Sequence, residues 1–350
     1  MKRLNIAVLS LLLISFQAFA QKGPAKTSLP SQSVEVKKGN RLIVKGFYGQ
    51  LKLRTLTKGN SLRVTGRRTL PKTQQEDQDP SMWTFQISKS ENVITVEVRT
   101  PTDRSFWQGL NKSLTVGSTP KVDLLISAPS LPTEITWKKG RIDIQAWQGP
   151  LNISLHDGQI NSLSMVGDLT VQLTKGLLKT SKHEGRLSVD SYGADVELVS
   201  SKGALDISNF TGKSLITKHE GNLDLKSFSG ATEITGFEGV ANFDIKRGKL
   251  TAKKLDGRVR GKTDTGRVDL QLVGDEINAN VTSGAGSIVL RPPKNSRANV
   301  RLKTQDGQLA GPRSLKFQSL VTGKFLVGNL KGSKPGRIRL SSESGNISVR

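Results

Sequence analysis

The sequence predicts an all-β protein: a β-solenoid, or β-helix-like stack, built from a nine-residue strand-turn repeat with about 18 residues per coil. Three observations predict it. Stepping by nine from Gly140 to Gly284 visits seventeen positions, and fifteen are Gly; the exceptions, Ala194 and Asp275, each follow a Gly. With 35 Gly in 350 residues, chance would place fewer than two there. Of the fifteen units that start from Gly140 to Gly266, thirteen are apolar two places on, fourteen are polar at the next place and twelve are apolar at the one after. That alternation is a short strand with one buried face, and the Gly marks a corner that needs positive φ or close backbone approach. Finally, Leu151, Leu169, Leu187, Leu205 and Leu223 recur every 18 residues, and Lys182-His183-Glu184-Gly185 returns as Lys218-His219-Glu220-Gly221. Two units therefore close one coil, and the leucines stack. The leucine spacing favours this over a three-sided coil of 27 residues, and an antiparallel meander has less reason to hold a fixed nine for so long.

The elements follow in order. Residues 1–20 read as an export signal: Lys2 and Arg3, an apolar Leu4–Phe16, then Ala18-Phe19-Ala20 with cleavage before Gln21. The other reading of these residues is an uncleaved anchor. No Cys follows to carry a lipid, and no later apolar run is long enough to cross a bilayer. The expected location is outside the cytoplasm: periplasm, outer surface or extracellular. Residues 21–139 form an N-terminal β region, with strand patterns at 33–37, 41–45, 50–54, 61–65, 82–88, 93–99 and 121–127. Two polar inserts interrupt it, 67–81 with Pro71 and Pro80, and 100–120 with Phe106 and Trp107. Residues 140–290 carry the nine-residue repeat. Residues 291–350 form a basic C-terminal β region, with strands expected at 299–303, 315–319, 324–327, 337–340 and 346–349. With no Cys there is no disulfide framework, so stability must come from hydrogen-bonded ladders and packing.

Several of these segments resemble a bacterial family of β-strand-repeat, β-solenoid proteins called putative adhesins, formerly a domain of unknown function. The residues that carry the resemblance are Gly46-Phe47-Tyr48-Gly49-Gln50-Leu51-Lys52-Leu53, the strand Val122–Ser130, the Gly-x-Leu-x-Ile ladder and the closing Arg337–Val349. It covers nearly the whole chain after the export signal. The resemblance implies a secreted or envelope-associated solenoid with an adhesive role, and it supplies no catalytic residues.

Charge is distributed unevenly. The formal net charge is +24, of which Lys2 and Arg3 leave with the signal. Residues 21–72 hold thirteen Lys and Arg against Glu35, and residues 291–350 hold thirteen against Asp306 and Glu343. Between them, residues 73–290 balance to −1, with twenty-five basic against twenty-six acidic side chains. Because solenoid repeats touch mainly their neighbours, the sequence ends are expected at the structural ends. Basic tips there would attract a polyanionic envelope or surface component: lipopolysaccharide, teichoic acid or another acidic glycan. The competing explanation is protection of open strand edges, where Lys and Arg block end-to-end pairing. Specific nucleic-acid binding is not expected, since stacking aromatics are scarce in the basic segments.

The candidate binding residues are Lys37, Lys38, Arg41, Arg67 and Arg68 near the start, and Lys331, Lys334, Arg337 and Arg339 near the end. Phe106 and Trp107 are the uncharged contact candidates. No catalytic set, metal site or cofactor is predicted. His183 and His219 fall two coils apart with Ser201 between them, too far to share a zinc ion. Asp206 and Asp224 form only a short outward acidic ladder. The nonapeptide calcium roll shares the period but needs Gly-Gly-x-Gly-x-Asp, which is missing. The expected function is a non-catalytic envelope or surface binding module; the alternatives are a structural scaffold that docks envelope proteins and a polysaccharide-active β-helix enzyme.

Overall fold

A computed structural model describes residues 25–70, 82–100, 119–330 and 336–350; the predicted signal segment and most of both polar inserts lie outside them. The described residues form twenty-one strands. The N-terminal region holds β1 (Ala25–Glu35), β2 (Arg41–Thr55), β3 (Ser61–Leu70), β4 (Thr84–Ser90), β5 (Val93–Arg99) and β6 (Lys121–Ala128). The shaft is β7 (Thr133–Gln145), β8 (Leu151–Leu163), β9 (Leu169–Glu184), β10 (Leu187–Asn209), β11 (Ser214–Ser227), β12 (Thr232–Ile245), β13 (Lys249–Thr263) and β14 (Arg267–Ser283). Then come β15 (Ile288–Arg291), β16 (Ala298–Thr304), β17 (Leu309–Ala310), β18 (Leu315–Leu320), β19 (Gly323–Leu330), β20 (Arg337–Ser342) and β21 (Ile347–Val349).

From β7 to β14 each strand pairs in parallel with the next, and the register is the eighteen-residue one: Leu151 faces Leu169, Leu169 faces Leu187 and Leu205 faces Leu223. The two-unit coil is therefore the observed one. Each long strand bends at its clock Gly, so a coil presents two strand faces with one apolar interior. Leu151, Leu169, Leu187, Leu205 and Leu223 are all buried, each contributing about 2 kcal/mol of transfer free energy. Even the polar residues at inward positions, Ser162, Thr180, Ser214 and Thr232, are buried. The strand pattern, not the residue's own polarity, decides which way it points.

The clock glycines are explained by contact between coils. A Cβ on Gly158, whose φ is +146°, would overlap the carbonyl oxygen of Gly140 and lie 2.8 Å from its carbonyl carbon. A Cβ on Gly221 would meet Gly203 in the same way. The corner that holds Gly221 also carries a column of left-handed residues three places before its glycines, Ala146, Ser164, Lys182, Ser200, Lys218 and Lys254, all with φ between +50° and +56°. Behind each of these points one inward side chain: Trp147, Met165, His183, Ser201, His219 and so on to Leu255, all buried.

Two expectations need correction. The clock does not run through Gly284: a two-residue addition near Gly274 shifts the pairing, so that Arg258 faces Asn278 and Gly286 stacks on Gly266. Nor do the sequence ends simply form the tips. The last strands turn back into the stack, with β20 inserted between β14 and β16 and β21 between β15 and β17. The hairpin of β18 and β19 lies beyond β16 instead. At the other end β2 is an internal coil, flanked by β7 on one side and by β5 and β6 on the other. Antiparallel strands finish that end: β4 on β5, and β1 on β3 on β6.

Candidate functional site

The insertion of β20 decides what its side chains meet. Its inward residues Ile338 and Leu340 join the core, so the alternate Arg337 and Arg339 must point out. Register then lays them beside shaft residues in two rows. One row runs Arg258, Asn278, Arg337, Asn299, and the other runs Arg260, Asn280, Arg339, Arg301. Neither row contains an acid. Arg258, Arg260, Arg337 and Arg339 line one open groove of about 500 Å³ with Asn278 and Asn280 between them.

At several other places the shaft neutralises its outward charge from coil to coil. Lys179 pairs with Glu197 at 2.8 Å, Lys202 with Glu220 at 2.9 Å and Arg186 with Asp206 at 2.6 Å. In the groove, Arg260, Arg337 and Arg339 have no carboxylate partner among the described residues. Arg339 and Arg301 sit on neighbouring strands, about 4.8 Å apart at the backbone. Like charges about 5 to 10 Å apart repel by roughly 0.4 to 0.8 kcal/mol in water, and the Arg301 guanidinium is drawn over the Phe325 ring, 5.8 Å away. A bound anion relieves that repulsion, and the forked guanidinium groups offer paired donors to phosphate, sulfate or carboxylate oxygens.

The other predicted residues are placed differently. Lys37 and Lys38 are exposed in the turn after β1, where the Asn40 side chain accepts from the Lys37 amide at 2.8 Å. Arg41 is exposed at the start of β2. Arg67 lies 3.7 Å from Asp123, and its neighbour Arg68 is half-buried. These N-terminal residues are at the far end of the stack from Arg337 and Arg339, so the two basic segments form no common surface. Lys331, Lys334, Phe106 and Trp107 lie outside the described residues. Sequence reasoning missed Arg258 and Arg260, because they belong to a segment whose charge balances. The signal for them exists only once β20 is known to lie beside β14.

Edge protection does not account for the arginines. Arg67, Arg68, Arg337 and Arg339 all stand where both edges of their strand are paired, and Arg41 is paired with Val93 on one side and adjoins the first β7 pair, Leu42 with Thr133, on the other. A strand already bonded on both sides cannot template another chain.

The histidines form a different kind of cluster. Ser201 faces both His183 and His219 in register, as the spacing predicts. The Ser201 hydroxyl lies 2.8 Å from Nδ1 of His219, whose Nε2 is 3.3 Å from the Asn222 carbonyl. Nε2 must therefore carry the proton and donate, while Nδ1 accepts. Burial pushes the pKa of both His183 and His219 below the ordinary histidine value. Among the described residues no group of three or more His, Asp or Glu is arranged to hold a metal ion. No helix among them is long and apolar enough to cross a membrane.

Comparison with known proteins bears on the fold. The family model described as Toastrack DUF4097 matches residues 31–350. Among solved structures, the chain is similar to a putative cell adhesion protein from Clostridium sporogenes, at 14% identity, 93% coverage of this chain, 98% of that one and a TM-score of 0.21. It is also similar to a putative lipid binding protein from Parabacteroides distasonis, at 8% identity, 94% and 98% coverage and a TM-score of 0.34. A putative adhesin from Bacteroides fragilis matches at 14% identity, 94% and 99% coverage and a TM-score of 0.21. No curated protein sequence matches the chain.

Proposed function

The chain belongs to the Toastrack DUF4097 family, and from that premise we propose that it is an exported, non-catalytic binding module of the bacterial envelope or surface that engages polyanionic surface polymers. The observation that carries this reading is the groove of Arg258, Arg260, Arg337 and Arg339, which has neither an acidic row nor an edge-protecting role. The export reading rests on residues 1–20 of the sequence. A groove with several guanidinium groups on adjacent coils suits repeating anionic ligands such as phosphorylated lipopolysaccharide cores, teichoic acids or acidic glycans. Each polymer repeat that reaches a guanidinium displaces small counterions, so affinity should fall steeply with salt.

The test is binding of the mature protein to immobilised lipopolysaccharide, with neutral dextran as control, from about 50 to 500 mM salt. Steep weakening with salt is expected. The double variant Arg337→Ser, Arg339→Ser should bind at least about tenfold more weakly and with a shallower salt dependence. A salt-insensitive interaction, or a double variant that binds like the parent, overturns the reading.

A further inference from the structure

The second feature of the shaft is uncharged. At one corner of the coil the chain uses a short polar side chain three residues before the stacking residue. Ser191 accepts from the Ala194 amide at 3.1 Å, Asn209 from Gly212 at 3.1 Å, and Ser227 donates to the Gly230 carbonyl at 3.3 Å. This tight corner forces the next residue outward in each coil. Those residues are Tyr192, Phe210 and Phe228, 60%, 39% and 37% exposed. Their rings stack along the shaft axis, with centroids 5.0 and 4.5 Å apart and planes within 10°. Beyond Phe228 the series is closed by the guanidinium of Arg247, 5.5 Å from its ring.

At the other end it is open. The coil before Tyr192 offers Thr174 at the equivalent place, and the coil before that offers exposed His156. The outer face of Tyr192 thus looks across a gap of two strand spacings, about 9.6 Å, floored by a short side chain. The flank of the gap is a row of outward polar residues in register, Ser154 beside Gln172 beside Asp190. Among the described residues, Gln172 and Asp190 have no side-chain hydrogen-bond or ion-pair partner, although Asp206, Glu197 and Glu220 nearby are all paired. Tyr192, Thr174, His156, Ser154, Gln172 and Asp190 all line one cleft.

We propose that this cleft binds one uncharged pyranose ring of a glycan, stacked on Tyr192 as the next step of the aromatic series. A ring continuing the 4.5–5.0 Å spacing comes to rest at the height of Thr174, with room left before His156. A pyranose has an apolar C–H face for the tyrosine and a rim of hydroxyls. The carboxylate of Asp190 accepts from that rim, while the amide of Gln172 and the hydroxyl of Ser154 can donate or accept. An aromatic side chain of a protein partner would fill the gap but leave those groups unserved. The site is separate from the arginine groove, which lies several coils away, and it needs no charge on the ligand.

The experiment is saturation-transfer NMR with the full mature protein and three neutral probes, maltohexaose, cellohexaose and chitohexaose, each at about 10 mM and in about 0.5 M salt to silence the groove. Transfer to at least one probe is expected, unchanged in the Arg337→Ser, Arg339→Ser variant. Tyr192→Ala should weaken binding about tenfold or more. Asp190→Ala and Gln172→Ala leave the aromatic stack intact, and each should weaken it several-fold with an unchanged melting temperature. No transfer to any probe, equal binding by Tyr192→Ala and the parent, or capture of a phenylalanine-rich peptide with no glycan binding overturns the proposal. Loss of lipopolysaccharide binding with retained glycan transfer would count against the groove alone.

Discussion

Replacing Gly158 by Ala tests the stacking argument directly, because the structure supplies its own control. The new Cβ would overlap the carbonyl oxygen of Gly140 and sit 2.8 Å from its carbon and 3.0 Å from its nitrogen. Ordinary carbon contacts begin near 3.5 Å, so the two coils must part locally by about 1 Å. Parallel ladder bonds near 2.9 Å do not survive that displacement, and two or three of them at about 1 kcal/mol each are lost. The positive φ adds about 1–2 kcal/mol of backbone strain for any residue with a Cβ. The sum is about 4 kcal/mol. Gly39 also has positive φ, +89°, but a Cβ there would have nothing within 4 Å. Gly39→Ala should therefore cost only the strain, about 1–2 kcal/mol. Urea unfolding of both variants, with hydrogen exchange at the 140–176 corner, measures the difference. Equal losses for the two variants would refute the claim that coil contact fixes the nine-residue clock.

Two further outcomes follow from buried polar groups. Burial depresses the folded-state pKa of His183 and His219, so below about pH 6.5 the unfolded chain takes up protons that the folded chain refuses. Their contribution to stability is complete above that pH and is lost as pH falls toward the folded-state values; melting temperatures from pH 7.5 to 5 check this, and His183→Leu should flatten the decline. Asn209, buried, donates to the Ala194 carbonyl at 3.2 Å and to the Ser214 hydroxyl at 3.1 Å, and accepts from Gly212 at 3.1 Å. Asn209→Ala should cost about 2–4 kcal/mol in urea unfolding, while Asn209→Ser should recover part of it, since Ser191 and Ser227 fill the same place in adjacent coils.

What was legible in the sequence is what the coil repeats. A residue forced by contact with its copy in the next coil recurs at fixed spacing, so Gly158, Leu169 and the His183–Ser201–His219 column could all be placed without coordinates. Flanking strands were legible too, because each carries its own alternation: the patterns at 41–45 and 50–54 are the two halves of β2. The tucked-back C-terminus was not. Pairing β20 with both β14 and β16 joins residues nearly sixty positions apart on one side, and no local pattern encodes a choice of partner. The aromatic series was legible in principle, since Tyr192, Phe210 and Phe228 keep the same eighteen-residue step as the leucines. It escapes a reading that follows only the inward positions.

A parallel stack gives every side chain its own copy's environment, with consequences that depend on chemistry. Apolar copies in register build the core, and aromatic copies outside it stack. Cationic copies in register repel, and much of the shaft offsets this by setting acids beside bases, as at Lys179 and Glu197; where Lys249 and Arg267 do meet in register, Asp269 lies 4.0 Å from Arg267. If β20 had continued outward beyond the β18–β19 hairpin, Arg337 and Arg339 would face solvent on one side and carry little mutual repulsion. Placed beside β14 and β16, they add two guanidinium groups to a surface that already holds Arg258, Arg260 and Arg301. That arrangement costs folding energy with no packing gain of its own, because inward Ile338 and Leu340 would be as well buried with neutral residues between them. Charge reversal at these two positions should therefore stabilise the fold at low salt while abolishing polyanion binding. A thermal melt and a binding curve on the Arg337→Glu, Arg339→Glu variant read both, and a destabilised variant would show that the arginines serve the stack instead of a ligand.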